Sequence, residues 1–332
     1  MTHTYAFNGD ADGLCALQQL RLTDDTAPPD SEVLVTGVKR DIALLERVRG
    51  GTGDRCTVLD VSLDVNRAGL LALLEAGVSV RYFDHHFAGE VPGHALLKAH
   101  LDLSPSACTS LIVDRYLDGR ARRWAIAGAF GDSLVDQARA LAQGAGLTPE
   151  ATLRLQQLGV AINYNAYGET IADLHVPPAE LAQEMRAFSD PLELAERSAS
   201  CHRLFEGFRQ DMELARQLEP LRRAPGALVF VLPDAAWARR ASGTLANDLS
   251  KAHAGSAIAI VSPKSGKAVG AGGGGGFLVS VRVPADAAVS AEAFCRRFPT
   301  GGGRRTAAGI NHLPAERLAH FTDEFETQFR AG

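Results

Sequence analysis

The sequence predicts an α/β protein: an N-terminal domain with a parallel sheet and covering helices, a helical connector, and a smaller C-terminal α/β domain. Three observations carry this. Apolar runs alternate with amphipathic stretches through about residue 140. Helical spacing of apolar residues then dominates to about residue 208. A new set of strand-like runs begins after the proline-bounded stretch Pro220–Pro225.

In order, Thr4–Asn8 is a short apolar run ending at a Gly-Asp turn, and Gly13–Leu22 reads as a helix. Val33–Val38 is strand-like and Ile42–Arg49 helical. Cys56–Val61 is strand-like, about Val65 to Ala76 helical, and Val78–Phe83 strand-like again. Ser106–Leu117, Trp124–Gly131 and most of Pro149–Phe208 read as helices, with breaks near Pro177-Pro178 and Pro191. Ala227–Leu232, Ala257–Ser262 and Phe277–Val283 follow as strands, with helices at Gly243–Lys251 and at about Ala315 to Phe329. The expected division is 1–190, a connector at 191–222, and 223–332. The 332 residues suit about two domains at roughly 100–200 residues each.

Composition narrows the function classes. Hydrophobic residues at 46% and charged residues at 22% exclude a wholly disordered chain. Lys plus Arg number 34 against 39 Asp plus Glu, a formal charge of −5. Such a chain lacks the global positive field that drives avid binding to long nucleic acid. No apolar run reaches the ~18–20 residues that span a bilayer. Met1–Asp10 has no signal-peptide pattern, and the five cysteines are scattered without a Cys-x-x-Cys pair. A cytoplasmic protein with reduced thiols and no membrane partner is expected, and a homodimer is compatible with it.

The chemistry concentrates where apolar elements end. Asn8-Gly9-Asp10-Ala11-Asp12-Gly13 places two carboxylates two apart between a strand and a helix. A turn with a helix cap is the other reading of the same residues. The apolar strand Cys56–Leu59 ends in Asp60, Val78–Phe83 runs into Asp84-His85-His86, and the apolar helix Trp124–Phe130 ends at Gly131-Asp132. Asp84-His85-His86 alone could be a solvated turn. Four successive endings in a parallel-sheet rhythm point instead to a shared divalent-metal site at the carboxyl edge. Oxygen and imidazole donors without thiolate suit Mn²⁺ or Mg²⁺, with Co²⁺ also accommodated.

Near the C-terminus, Gly301-Gly302-Gly303-Arg304-Arg305-Thr306-Ala307-Ala308-Gly309 combines glycines with arginines. Backbone N–H groups and guanidinium forks can hold a phosphate, whereas a solvated surface loop is the plain alternative. Lys264–Gly276, ending in five glycines, lacks the Lys-Ser/Thr ending of a P-loop and reads as a loose hairpin. Ser280 and Arg282, two apart on a strand, share one face.

Taken together these motifs resemble the DHH phosphoesterase superfamily, named for its Asp-His-His motif. Asn8–Gly13, Asp60, Asp84-His85-His86 and Gly131-Asp132 resemble its four ordered motifs. Gly301–Gly309 resembles the GGGHxxAAG signature of its associated C-terminal substrate domain. The size and plan are most similar to the stand-alone nanoRNase and 3′-phosphoadenosine-5′-phosphate phosphatase group. The resemblance implies two Mn²⁺ ions and hydrolysis by a water they activate. By motif position Asp10 and Asp12 would each bind one ion, Asp60 would bridge them, and His85 and Asp132 would complete the second ion's shell. Asp84 would orient this set and His86 would face the substrate phosphate. Arg282, Arg304 and Gly301, Gly302 and Gly303 would hold a terminal phosphate.

Two positions depart from the motifs. Asn8 stands where the family usually has a histidine ligand, and Arg304 where the signature has histidine. An amide oxygen binds a hard cation more weakly than imidazole binds Mn²⁺, and arginine holds phosphate without donating a proton near neutral pH. The expected function is hydrolysis of short oligoribonucleotides or linear dinucleotides. A cyclic dinucleotide or 3′-phosphoadenosine-5′-phosphate as substrate is the alternative within the same chemistry. A non-catalytic nucleotide sensor is the alternative of another class.

Overall fold

The computed structural model describes residues 1–23, 31–264 and 275–330. It divides into two compact units, Met1–Gly207 and Phe208–Gly332. Most of the expected glycine-rich hairpin at Lys264–Gly276 lies outside the described residues.

The first unit alternates strand and helix: β1 His3–Phe7, α1 Ala11–Thr23, β2 Glu32–Val35, β3 Arg55–Leu59, α2 Arg67–Glu75, β4 Ser79–Asp84 and β5 Leu97–Leu101. The strands form one sheet in the order β2-β1-β3-β4-β5, and every pair is parallel. Helices α3 Thr109–Tyr116, α4 Arg122–Gly131, α5 Val135–Gly144, α6 Pro149–Asn165, α7 Pro178–Met185 and α8 Pro191–Arg197 follow. The boundary between units falls inside α9, Ala199–Arg216.

Side chains alternate across the sheet, so each strand feeds two cores. Tyr5, Phe7, Leu59 and Phe83 join residues of α1, α3, α4 and α6 on one face. Ala6, Val58, Val80 and Tyr82 join Leu70, Leu73 and Leu74 of α2 on the other. Both faces being covered explains why these strands read as continuous apolar runs. Each large side chain so buried contributes about 1.5–3 kcal/mol.

The prolines that break the helical pattern act as helix starts. Thr148 Oγ1 accepts from the Ala151 N–H at 3.2 Å, with Pro149 in the first turn. Asp190 Oδ1 likewise accepts from the Leu192 N–H at 2.9 Å ahead of α8. Proline suits this position because its missing N–H has no helical partner there anyway.

The helix expected over Ile42–Arg49 is instead a short 3₁₀ turn, Leu44–Arg47. The buried Asn66 side chain takes the backbone groups a longer helix would need. Its Oδ1 accepts from the Leu45 N–H at 3.0 Å, and its Nδ2 donates to the Ile42 carbonyl at 2.7 Å.

The second unit builds a mixed sheet from β6 Arg222–Ala224, β7 Ala227–Val231, β8 Ala257–Pro263, β9 Gly276–Arg282, β10 Gly301–Gly303 and β11 Ala307–Pro314. The order is β10-β11-β9-β8-β7-β6, with β7 and β8 parallel across helix α10, Ala236–Ala252. One face packs on α10 through Leu228, Phe230, Ile258 and Ile260. The other packs on α11, Ala291–Cys295, and α12, Leu318–Phe329, through Phe294, Phe321 and Phe325. The stretch 301–309, read as a phosphate-binding or surface loop, forms the hairpin β10–β11, with Gly301 opposite Ile310 and Gly303 opposite Ala308. None of the described helices is long and apolar enough to cross a membrane.

Candidate metal centre

Strand register assembles the acidic residues. Phe7 pairs with Leu59 and Leu59 with Phe83, so the next residues out, Asn8, Asp60 and Asp84, emerge side by side from three adjacent strands. The ladder continues one step beyond the strands. Asn8 N–H donates to the Leu59 carbonyl and Asp60 N–H to the Phe83 carbonyl, both at 3.1 Å. Asp60 then turns sharply, with φ at +61°. Aspartate is among the few side chains that adopt this left-handed conformation at modest cost.

Asp10 is both the helix cap and a charged partner. Its Oδ1 accepts from the backbone N–H groups of Asp12 and Gly13 at 3.0 and 3.2 Å, starting α1. Its Oδ2 accepts from Lys39 Nζ, an ion pair at a carboxylate almost wholly out of solvent. Asp12 faces the start of α3, where it accepts from the N–H groups of Thr109 and Ser110 at 2.6 and 2.7 Å. The positive end of a helix favours a carboxylate there. Thr109 Oγ1 reaches on to Asp60 Oδ1 at 3.1 Å.

The imidazoles close the arrangement. His85 Nε2 lies 3.4 Å from Asp60 Oδ1 and 3.9 Å from Asp132 Oδ2. His86 Nδ1 bonds Asp84 Oδ1 at 2.7 Å and lies 4.0 Å from Asp60 Oδ1. Two groups of donor atoms could each hold a divalent ion: Asp60, His85 and His86, and Asp12, His85 and Asp132, each group lying within 4.8 Å. His85 belongs to both.

Electrostatics show what this clustering costs. Burial, then the charges of Asp10, Asp12 and Asp132, push the Asp60 carboxyl well above the usual range. Asp132 is pushed up to about 6 by burial and Asp12, with Lys39 and His85 pulling the other way. Asp10 goes down. Burial opposes its charge, but the Lys39 ammonium and the N–H bonds outweigh burial. Lys39 rises well above its ordinary value because Asp10 outweighs burial. For His86, burial is outweighed by Asp84, so its value also rises.

The donor chemistry fits a hard divalent cation. Asn8 Oδ1 and Asp84 Oδ2 are buried and find no hydrogen-bond partner among the described residues. Buried polar atoms are ordinarily paired, so these orphans, beside carboxylates that repel one another, are oxygens with room for a cation as partner. The buried cysteines do not compete as ligands; burial, then Asp12, pushes the Cys108 thiol well up. Carboxylate, imidazole and amide oxygen suit Mn²⁺ or Mg²⁺.

Thus Asn8, Asp10, Asp12, Asp60, Asp84, His85, His86 and Asp132, all singled out in the sequence, come to one edge of the first unit's sheet. Arg282, Gly301, Gly302, Gly303 and Arg304 belong to the second unit. There Arg282 pairs opposite Ala307, and its Nε donates to Asn247 Oδ1 of α10 at 3.1 Å. Arg304 is exposed in the β10–β11 turn, its N–H donating to the Ala307 carbonyl at 2.8 Å. Sequence reasoning missed Lys39, Asn163, Thr109 and Ser110. Lys39 sits four residues past β2 and carries no local signal, though its place at the carboxyl end of a parallel strand was a usable hint.

No family model and no curated protein matches the sequence. Solved structures do. RecJ in complex with Mn²⁺ from Thermus thermophilus superposes with a TM-score of 0.63 at 19% identity, over 98% of this chain and 51% of that one. This chain therefore spans about half the length of that RecJ. The DHH domain of a member of a family of ribosomal proteins gives 0.64 at 13% identity, over 99% of this chain and 87% of that chain. A pGpG-specific phosphodiesterase, PggH from Vibrio cholerae, gives 0.53 at 12% identity, over 99% of each chain. At these identities the likeness is one of fold. The chain therefore has the DHH-domain fold, with the residues of its acidic and imidazole motifs gathered where the parallel strands end.

Proposed function

We propose that this chain is a divalent-metal-dependent phosphoesterase that hydrolyses short nucleotides, such as short oligoribonucleotides or a linear dinucleotide. The observation that carries this reading is the donor group of Asp12, His85 and Asp132 at the carboxyl edge of the sheet, with Asp60 Oδ1 3.4 Å from His85 Nε2 beside it. In this reading Asp12, Asp60, His85 and Asp132 hold the metal. A divalent cation supplies Lewis acidity, offsetting the charge that builds on a phosphoryl group as water displaces an alcohol.

The chain's own residues do the rest. The α3 N-terminus fixes both oxygens of Asp12, and Thr109 fixes Asp60, so neither carboxylate must reorganise when metal or substrate arrives. Asp84 holds His86 through Nδ1, leaving Nε2 of the half-exposed ring for the substrate phosphate. The raised basicity of His86 suits a group that holds a proton near a phosphoryl oxygen. Arg282, Arg304 and the backbone of Gly301–Gly303 bind the terminal phosphate of a short substrate. The acidic net charge supports a short ligand over a long polyanion.

The test is product release with Mn²⁺ from a 5′-phosphorylated diribonucleotide, a longer RNA, two cyclic dinucleotides and 3′-phosphoadenosine-5′-phosphate, each with a chelated control. Metal-dependent cleavage fastest on the linear dinucleotide is the expected result. Preference for a cyclic dinucleotide or for 3′-phosphoadenosine-5′-phosphate would reassign the substrate. Tight nucleotide binding without turnover would favour a sensor, the reading that the neutral amide at Asn8 supports.

A further inference from the structure

The motif pattern of the first unit leads one to expect two ions, one of them on Asp10. The geometry around Asp10 says otherwise. Its Oδ2 is paired with the Lys39 ammonium, while its Oδ1 accepts from two backbone N–H groups. Lys39 Nζ also donates to Asn163 Oδ1 of α6 at 2.9 Å and lies 5.5 Å from the centre of the Tyr167 ring. An ammonium has three N–H donors and no lone pair, so it can neutralise a carboxylate but never ligate a metal.

Asn8 bears on the same point. Where the motif has an imidazole ligand, this chain has a neutral amide whose Nδ2 donates to the Lys39 carbonyl at 3.3 Å. The residue that departs from the pattern thus contacts the backbone of Lys39. Among the described residues, both donor groups able to hold an ion also omit Asp10, although it lies among them in the sequence motif. A dication beside Asp10 would face a fixed like charge held in place from two sides.

We propose that the Lys39 ammonium replaces one of the two divalent cations, so that the chain binds a single ion through Asp12, Asp60, His85 and Asp132. This rests on the metal-centre reading above and makes Lys39 a built-in cation for the Asp10 side of the site. Asn8 and Asn163 act as positioning residues, holding the Lys39 backbone and ammonium.

The experiment counts ions rather than turnover. The full chain, stripped with chelator, is titrated with Mn²⁺ and followed by calorimetry and electron paramagnetic resonance. The expected result is one Mn²⁺ per chain with the six-line spectrum of an isolated ion. Lys39→Arg should stay at one. Asn8→His combined with Lys39→Met, which keeps the side chain's length without its charge, should bind two ions and show a spin-coupled spectrum. Circular dichroism confirms that each variant is folded. Two ions in the wild-type chain would overturn the inference while leaving the metal centre intact, and this measurement needs no variant. A folded double variant that still binds one ion would also overturn it. No Mn²⁺ on the wild-type chain would overturn the metal-centre reading itself, and the inference with it.

Discussion

The charged motifs of the two units sit in opposite surroundings. The first brings Asp10, Asp12, Asp60 and Asp84 together almost wholly out of solvent, at the end of a sheet whose faces are both covered. The second places Arg304 and Arg305 in solvent on a glycine hairpin at the edge of a mixed sheet. Burying like charges is strongly unfavourable without a counter-cation, while exposed arginines are nearly free of such cost and equally free of enforced geometry. A site that must fix reacting atoms suits the first arrangement, and a surface that must catch an anion suits the second.

The contrast can be broken at several points. The largest effect is expected from Asp60→Asn, which keeps an acceptor for Thr109 and tolerates the left-handed backbone. Turnover should fall at least ~100-fold, while the metal-free chain should become more stable, because a buried charge leaves a repelling cluster. A variant less stable without metal and unchanged in rate would show that Asp60 is structural.

Metal should act on one unit alone. Mn²⁺ at a hundred times its Kd stabilises the state that binds it by about 2.7 kcal/mol. Hydrogen exchange should then slow in β1, β3 and β4 and stay unchanged in β8 and β9. Protection spread evenly over both units would mean that metal binding is not confined to the first.

In the second unit, Gly303→Ala should destabilise by roughly 1–3 kcal/mol, since a φ of +146° is hostile to a side chain and a Cβ there would lie 2.4 Å from Ala308 Cα. Its denaturation midpoint reads this directly. Arg304→Ala should leave stability alone and raise KM about tenfold, near 1.4 kcal/mol, only for substrates with a terminal phosphate. An equal rise for phosphate-free substrates would rule out a phosphate clamp.

The smallest change, Gly302→Ala, is also the sharpest. A Cβ at Gly302 meets nothing within 4 Å, so stability should move by less than about 0.5 kcal/mol. A KM effect from this variant would show that the ligand approaches the backbone there, and its absence would place the phosphate elsewhere.

Much of this was legible in the sequence. Strands β1, β3 and β4 announce themselves as apolar runs because helices cover both faces, and each leads into a polar motif that the register aligns. Strand β5, Leu97–Leu101, was not legible. It lies at the sheet edge with Lys98 and Ala99 exposed, so neither a continuous apolar run nor a clean alternation marks it. The Gly301–Gly309 stretch looked like a loop because glycines lack strand propensity. Pairing with β11, itself held by β9, imposes the strand. Asp10 was readable both as a helix cap and as part of a charged site, and it serves as both. Lys39 escaped because its partners, Asp10 and Asn163, lie 29 and 124 residues away, and only the fold makes them neighbours.

The Lys39 ammonium has a consequence for supply. A dissolved ion occupies its ligands according to its concentration, and chelators or scarcity can empty them. A cation attached to the backbone by its own side chain has a local concentration fixed by the tether and undiluted by the surroundings. The Asp10 side of the site is therefore charged as soon as the chain folds, in metal-rich and metal-starved conditions alike. On the single-ion reading, any sensitivity to shortage of a divalent metal would pass through the side built on Asp12, Asp60, His85 and Asp132.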